Sequence, residues 1–108
     1  MPWIQFEFNQ TQIIGKVVIH NRVDCCEDRL FPFEILIEEE SGKIKRCREN
    51  LYDIGDPQIP SNKTNPIEVI CGKNGKFGKF MKLVGHHAEK VLNLCEVEVY
   101  RATRYFFS

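Results

Sequence analysis

Five cysteines, Cys25, Cys26, Cys47, Cys71 and Cys95, stand in a chain of only 108 residues. An odd number cannot all pair within one chain, so at most two intrachain bridges form and at least one thiol is left over. Cysteine this dense is uncommon in a reducing cytosol and frequent in small secreted domains, whose cores need covalent support. Two Asn-x-Ser/Thr sequons, at Asn9 and Asn62, point to the same extracellular setting. The opening Met1-Pro2-Trp3-Ile4 has neither a basic n-region nor an apolar h-region. A secreted protein is therefore expected to be seen here without its leader, or as a fragment.

The length suits a single domain, residues 1–108, and excludes a multidomain enzyme. Fifteen Lys and Arg balance fifteen Asp and Glu, leaving no net field to gather nucleic acid. No apolar run approaches the roughly 20 residues of a membrane-spanning helix. A nucleophile with its base, paired catalytic carboxylates and a phosphate-cradling glycine loop are not recognisable in the sequence, so no enzymatic activity is expected.

The hydrophobic period is that of strands. In Trp3–Phe8, Ile4, Phe6 and Phe8 alternate with Gln5 and Glu7; Lys16–His20 is β-branched; and in Phe33–Glu38, Phe33, Ile35 and Ile37 oppose Glu34 and Glu38. Ile67–Cys71, Phe80–Val84 and Leu92–Arg101 complete the set, with Cys95, Val97 and Val99 alternating against Glu96, Glu98 and Tyr100. Ser41-Gly42, the proline-rich stretch 55–66 and the segment 72–78 with Asn74-Gly75 read as loops, the last as a solvated hairpin. Short strands between such punctuation, without a sustained helical period, predict an all-β fold: an antiparallel β-sandwich or jelly roll.

The most unusual segment is Arg22-Val23-Asp24-Cys25-Cys26-Glu27-Asp28-Arg29, between two expected strands. Adjacent Cα atoms lie about 3.8 Å apart, closer than most disulfides, so a Cys25–Cys26 bond would close a rigid eight-membered ring. Such a ring offers a hard apolar patch for a small ligand. Arg22 and Arg29 could donate beside it to vicinal hydroxyls or a carboxylate, and Asp24 could orient one or both guanidinium groups. The alternative is a solvated charged loop carrying two unrelated thiols.

This octet resembles the signature of the F-type lectins, the fucolectin or fucose-binding lectin family, whose jelly-roll domain is discoidin-like. The family pattern is Arg, any residue, Asp, four residues and a basic residue, with two adjacent cysteines in the gap. Arg22, Asp24, Cys25, Cys26 and Arg29 match it position by position. Trp3–Phe8, Pro66–Gly72 and Asn93–Tyr100 are similar to the family's preceding, central and closing segments. The resemblance implies binding of L-fucose on fucosylated glycans, with Arg22 and Arg29 bonding the sugar, the Cys25–Cys26 disulfide packing on its apolar edge and Asp24 as orienter. A family histidine that completes the triad falls before Met1, which implies a domain lacking an N-terminal portion. The resemblance also implies a Cys47–Cys71 bridge and leaves Cys95 unpaired, its family partner lying upstream. Family members bind calcium partly through the positions of Cys95 and Glu96. With the remaining ligands absent and six to eight oxygens required, little or no tight calcium binding is expected.

Other readings carry less. His20 is expected to be structural or solvent-facing, opposite Ile19. A zinc site from His86-His87 with Cys71 or Cys95 lacks a recognised spacing, since adjacent histidines point apart. Lys73, Lys76, Lys79 and Lys82 with Phe77 and Phe80 suggest a polyanion surface only weakly. A redox switch at Cys25–Cys26 lacks an adjacent resolving thiol. Beside the lectin reading stands a divergent or truncated β-sandwich that has lost sugar binding and acts through protein contacts. Unpaired Cys95 and an exposed sheet edge make a homo-oligomer an expectation of either reading.

Overall fold

The computed structural model describes residues 1–62 and 66–102. Its strands are β1 (Trp3–His20), β2 (Phe33–Glu38), β3 (Ile44–Arg46), β4 (Ile67–Ile70), β5 (Lys76–Gly85) and β6 (Glu96–Arg101), with one 3-10 helix, Glu27–Leu30, before β2. All pairings are antiparallel and join the strands into one network, ordered β3-β2-β5-β1-β4, with β6 also on β1. The chain is all-β in the expected sense, a sheet curled around its own core.

The two expected strands Trp3–Phe8 and Lys16–His20 are halves of a single 18-residue strand. The polar stretch between them, Asn9 to Gln12, reads as a break in sequence. In the structure it is accommodated by a bulge: the register against β5 shifts between Glu7 and Gln12. Gly15 marks the second irregularity. Up to Ile14, β1 pairs with β5; from Lys16 to Ile19 it pairs with β4, while β6 runs along its other edge from Ile14 to His20. A Cβ at Gly15 would lie 2.8 Å from Ala102 Cα and 3.0 Å from Ala102 N, so only glycine lets the end of β6 approach this closely.

The expected hairpin at Asn74-Gly75 is corrected by this pairing. β4 and β5 do not pair with each other; both follow the same edge of β1 in succession, and residues 71–75 are the excursion between them. A local Asn-Gly signal specifies the turn, whereas the length of β1 decides that both flanking strands find it first. β5 accordingly begins at Lys76, inside the segment expected to be loop.

Alternate residues of β1, β2, β4 and β5 enter one buried cluster, including Ile14, Val17, Ile19, Phe33, Ile35, Ile37, Ile67, Val69, Met81 and Leu83. One cluster fed by the β5–β2 and the β4–β6 ends of β1 requires the sheet to fold over itself. Cys47 and Cys71 tie that fold covalently, with Cα atoms 4.2 Å apart. The Cys47 N–H bonds Ile35 of β2 and the Cys71 N–H bonds Gly15 of β1, so the bridge links the two halves across the core. Closing a loop of 24 residues restricts the unfolded chain by about 3 kcal/mol in the chain-entropy account.

The closing strand is shorter than expected: residues 92–95 lie outside β6. Leu92 and Leu94 pack individually against the core, and the Cys95 N–H bonds the His20 carbonyl 2.7 Å away. β3 was not foreseen, because Ile44-Lys45-Arg46 has no apolar alternation and forms a polar edge on β2.

Candidate functional site

The segment from Asn21 to Arg29 leaves the end of β1 and enters the 3-10 helix, and both of its ends are anchored in the interior. Asn21 is 2% exposed; its Nδ2 donates to the Glu27 carbonyl at 3.0 Å, and its Oδ1 accepts the Arg22 N–H at 2.8 Å. At the other end Leu30 and Phe31 are buried. Residues 22–29 therefore form a short arch on fixed supports. Sequence reading passed over Asn21, although a polar residue at a strand end before a tight loop is a familiar site for this bond.

Cys25 and Cys26 are bonded to each other, with Cys25 exposed and Cys26 half-buried. Cys26 takes a left-handed conformation, φ 64°, and its carbonyl accepts the Arg29 N–H at 3.0 Å. The disulfide thus sits where the arch turns into the 3-10 helix, and the backbone bond places Arg29 relative to it.

The two guanidinium groups are held differently. Arg22 makes a forked contact with Asp24, Nε to Oδ1 at 2.7 Å and Nη2 to Oδ2 at 3.2 Å. The Asp24 hydrogen bond, and after it the Asp24 charge, raise the Arg22 pKa, and the same bond holds the Asp24 carboxyl below the usual aspartate range. Arg29 faces a residue the sequence reading missed: its Nε lies 3.9 Å from Oε1 of Glu89. Glu89 belongs to the turn after β5, where its N–H bonds His87 Nδ1 at 3.1 Å. No sequence signal marks Glu89, because the pairing depends on two loops distant in the chain. Asp24 therefore orients Arg22, and Glu89 stands beside Arg29. Both arginines remain about two-fifths exposed in their side chains, at 37% and 39%. Each guanidinium keeps donors directed away from its carboxylate, which suits neutral, hydroxyl-rich ligands.

His20 lies on the outer face, as expected from its place opposite buried Ile19. Its Nε2 is 2.7 Å from Glu98 Oε1 and 3.9 Å from Glu96 Oε2. The Glu98 carboxyl is held below its usual range by that His20 bond and by the Tyr100 hydroxyl, which donates to Oε2 at 3.0 Å. Calcium requires six to eight oxygen ligands. Glu96, one of the two positions implied for calcium, is instead grouped with the His20 imidazole and the Glu98 carboxylate, and this mixed donor set does not fit an oxygen cage. Cys95 is exposed and unpaired among the described residues.

His86 and His87 turn to separate partners, His86 to buried Glu34 and His87 to Glu89. Two lysines of the 73–82 stretch are engaged by neighbours within the chain. Lys79 lies 3.9 Å from Glu40, and Lys82 lies over the Trp3 ring, 4.3 Å from its centroid. The Asn62 sequon extends into residues 63–65, outside the described residues.

A family model for NedA-like, galactose-binding domains matches residues 1–74. Among solved structures, a Streptococcus pneumoniae fucose binding module superposes with a TM-score of 0.66 at 23% identity, covering 94% of this chain and 66% of that one. The lectin domain of lectinolysin complexed with Lewis B antigen superposes with a TM-score of 0.67 at 25% identity, covering 94% and 65%. The chain thus spans just under two thirds of the structures it resembles. These neighbours are named as binding modules and lectin domains. No curated protein matches the chain.

Proposed function

Because the chain belongs to the family of NedA-like, galactose-binding domains, we propose that it works as a non-catalytic carbohydrate-binding module selecting L-fucose on fucosylated glycans. The observation that carries the reading is the arch itself: two half-exposed arginines on either side of a rigid vicinal disulfide. A pyranose presents a ring of hydroxyl acceptors and one apolar face. The guanidinium donors address the first, and the Cys25–Cys26 ring offers the second an apolar contact. The forked Asp24 contact fixes Arg22 before ligand arrives, which reduces the ordering cost of binding.

Glycan binding by such a shallow site is weak, and repetition of the site raises its effective strength. Self-association through Cys95 or the open edge of β1 would supply that repetition at an oxidising, extracellular surface. The second reading, a homologue that works through protein contacts, draws on one observation: both arginines already face carboxylates of their own chain. Titrating L-fucose into Arg22→Ala and Arg29→Ala separates the two. The lectin reading expects each to lose at least about tenfold in affinity, as for removal of a charged hydrogen-bond donor. Unchanged affinity in both variants would refer the sugar to another surface.

A further inference from the structure

We propose that His20, Glu96 and Glu98 form a binding site for a divalent transition-metal cation of the zinc class, at the root of the Arg22–Arg29 arch. The inference does not rest on the sugar reading. It starts from the registry of β1 and β6, which pairs His20 with Glu96 and Val18 with Glu98. Residues paired across strands share a face, and so do residues two apart on one strand. The imidazole and both carboxylates therefore stand side by side on the outer face, with one ligand atom from each lying within 4.8 Å of the others.

The donor chemistry selects the cation. Imidazole nitrogen with two carboxylates suits zinc and its first-row neighbours, whereas calcium and magnesium take all-oxygen sets. A tetrahedral ion about 2.0–2.1 Å from each donor needs donors about 3.4 Å apart. His20 Nε2 is 2.7 Å from Glu98 and 3.9 Å from Glu96, distances on either side of that value. The three ligand atoms lie within 4.8 Å of one another, so both carboxylates must swing to admit the ion, Glu98 opening from the imidazole and Glu96 closing on it, and water would complete the coordination.

Two neighbours support the arrangement. The Tyr100 hydroxyl holds the other oxygen of Glu98, aiming Oε1 at the imidazole, as outer partners orient ligating carboxylates. Lys16, the cation across the strand from Tyr100, is drawn to Glu68 at 3.6 Å and lies over the Tyr100 ring at 4.8 Å. The cation would join the end of β1 to the start of β6, one residue before the Asn21 anchor of the arch.

The test follows the His20 imidazole by NMR while zinc chloride is added at neutral pH, in a Cys95→Ser background that removes the nearby thiol. The site predicts a saturable shift of the His20 resonances complete near one equivalent. It also predicts no response to calcium chloride at the same concentration, and at least about a tenfold loss of affinity in Glu96→Gln and in Glu98→Gln with the amide spectrum otherwise preserved. Any of these results would overturn it: a silent His20, zinc shifts confined to His86 or His87, or undiminished affinity in both glutamine variants. Binding that appears only when Cys95 is present would equally assign the ligand to the thiol and refute the carboxylate site.

Discussion

Tyr52 shows how far burial outweighs polarity at a single residue. Its ring is 0% exposed, stacked on Phe33 with centroids 5.0 Å apart and covered by Arg48, whose Cζ lies 4.1 Å from the ring centre. Its hydroxyl has no hydrogen-bond partner among the described residues, and burial raises its pKa. Removing an unpaired buried hydroxyl also removes its desolvation cost, so Tyr52→Phe is expected to leave stability within about 0.5 kcal/mol of the parent, or to raise it. Chemical denaturation reads this directly; a loss above about 1 kcal/mol would reveal a partner for the hydroxyl. The neighbouring ion pair behaves in the opposite way. Asp56 bonds Arg48 and accepts the Gln58 N–H at 2.9 Å, and these bonds lower its carboxyl pKa, the Arg48 contact most. A depressed folded-state value means stability that is present above the ordinary aspartate value of about 3.9 and lost as pH falls through the folded one. Between about pH 5 and pH 2 the melting temperature of the parent should therefore fall more steeply than that of Asp56→Asn. Parallel curves would show that the pair contributes nothing. At this scale the sequence was most informative about the arch, since Arg22, Asp24, the cysteine pair and Arg29 are contiguous. It was silent on Glu89, which depends on how two loops meet, and on the Arg48–Tyr52 stack, which depends on how the segment after β3 folds back over Phe33.

Among the elements, β1 decides the architecture. Its two apolar halves were legible from their alternation, but their continuity was not, because a bulge absorbs the polar stretch between them. The same continuity turned an apparent Asn-Gly hairpin into an interruption between two consecutive partners of one strand. Gly15, where those partners change, carries the sharpest test. The clash predicted for a Cβ there is with backbone atoms of Ala102, which cannot rotate away. Gly15→Ala is expected to cost about 1–3 kcal/mol in urea denaturation, the usual range for overpacking. Unaltered stability would mean that the end of β6 does not lie against Gly15. Polar β3 was unreadable for a related reason: an edge strand with one neighbour and a charged outer face has no apolar period to detect.

For the whole molecule, the odd cysteine count and the strand pattern foretold a small disulfide-supported β fold, and the curled sheet closed by Cys47–Cys71 has that form. Residues 3–7 and 12 of β1 pair with β5 along one edge, and no described strand pairs with them along the other. Unpaired edges and free thiols both favour association. An oxidised sample is expected to show a disulfide-linked dimer on non-reducing gels, absent in Cys95→Ser; a parent that stays monomeric after oxidation contradicts this. The central claim concerns the sugar, and the family's name makes galactose the proper rival. The decisive measurement is calorimetric titration of the folded, oxidised protein with L-fucose and, separately, with D-galactose. The account predicts saturable binding of fucose in clear preference to galactose; binding of galactose as tight as fucose, or of neither sugar, would contradict it.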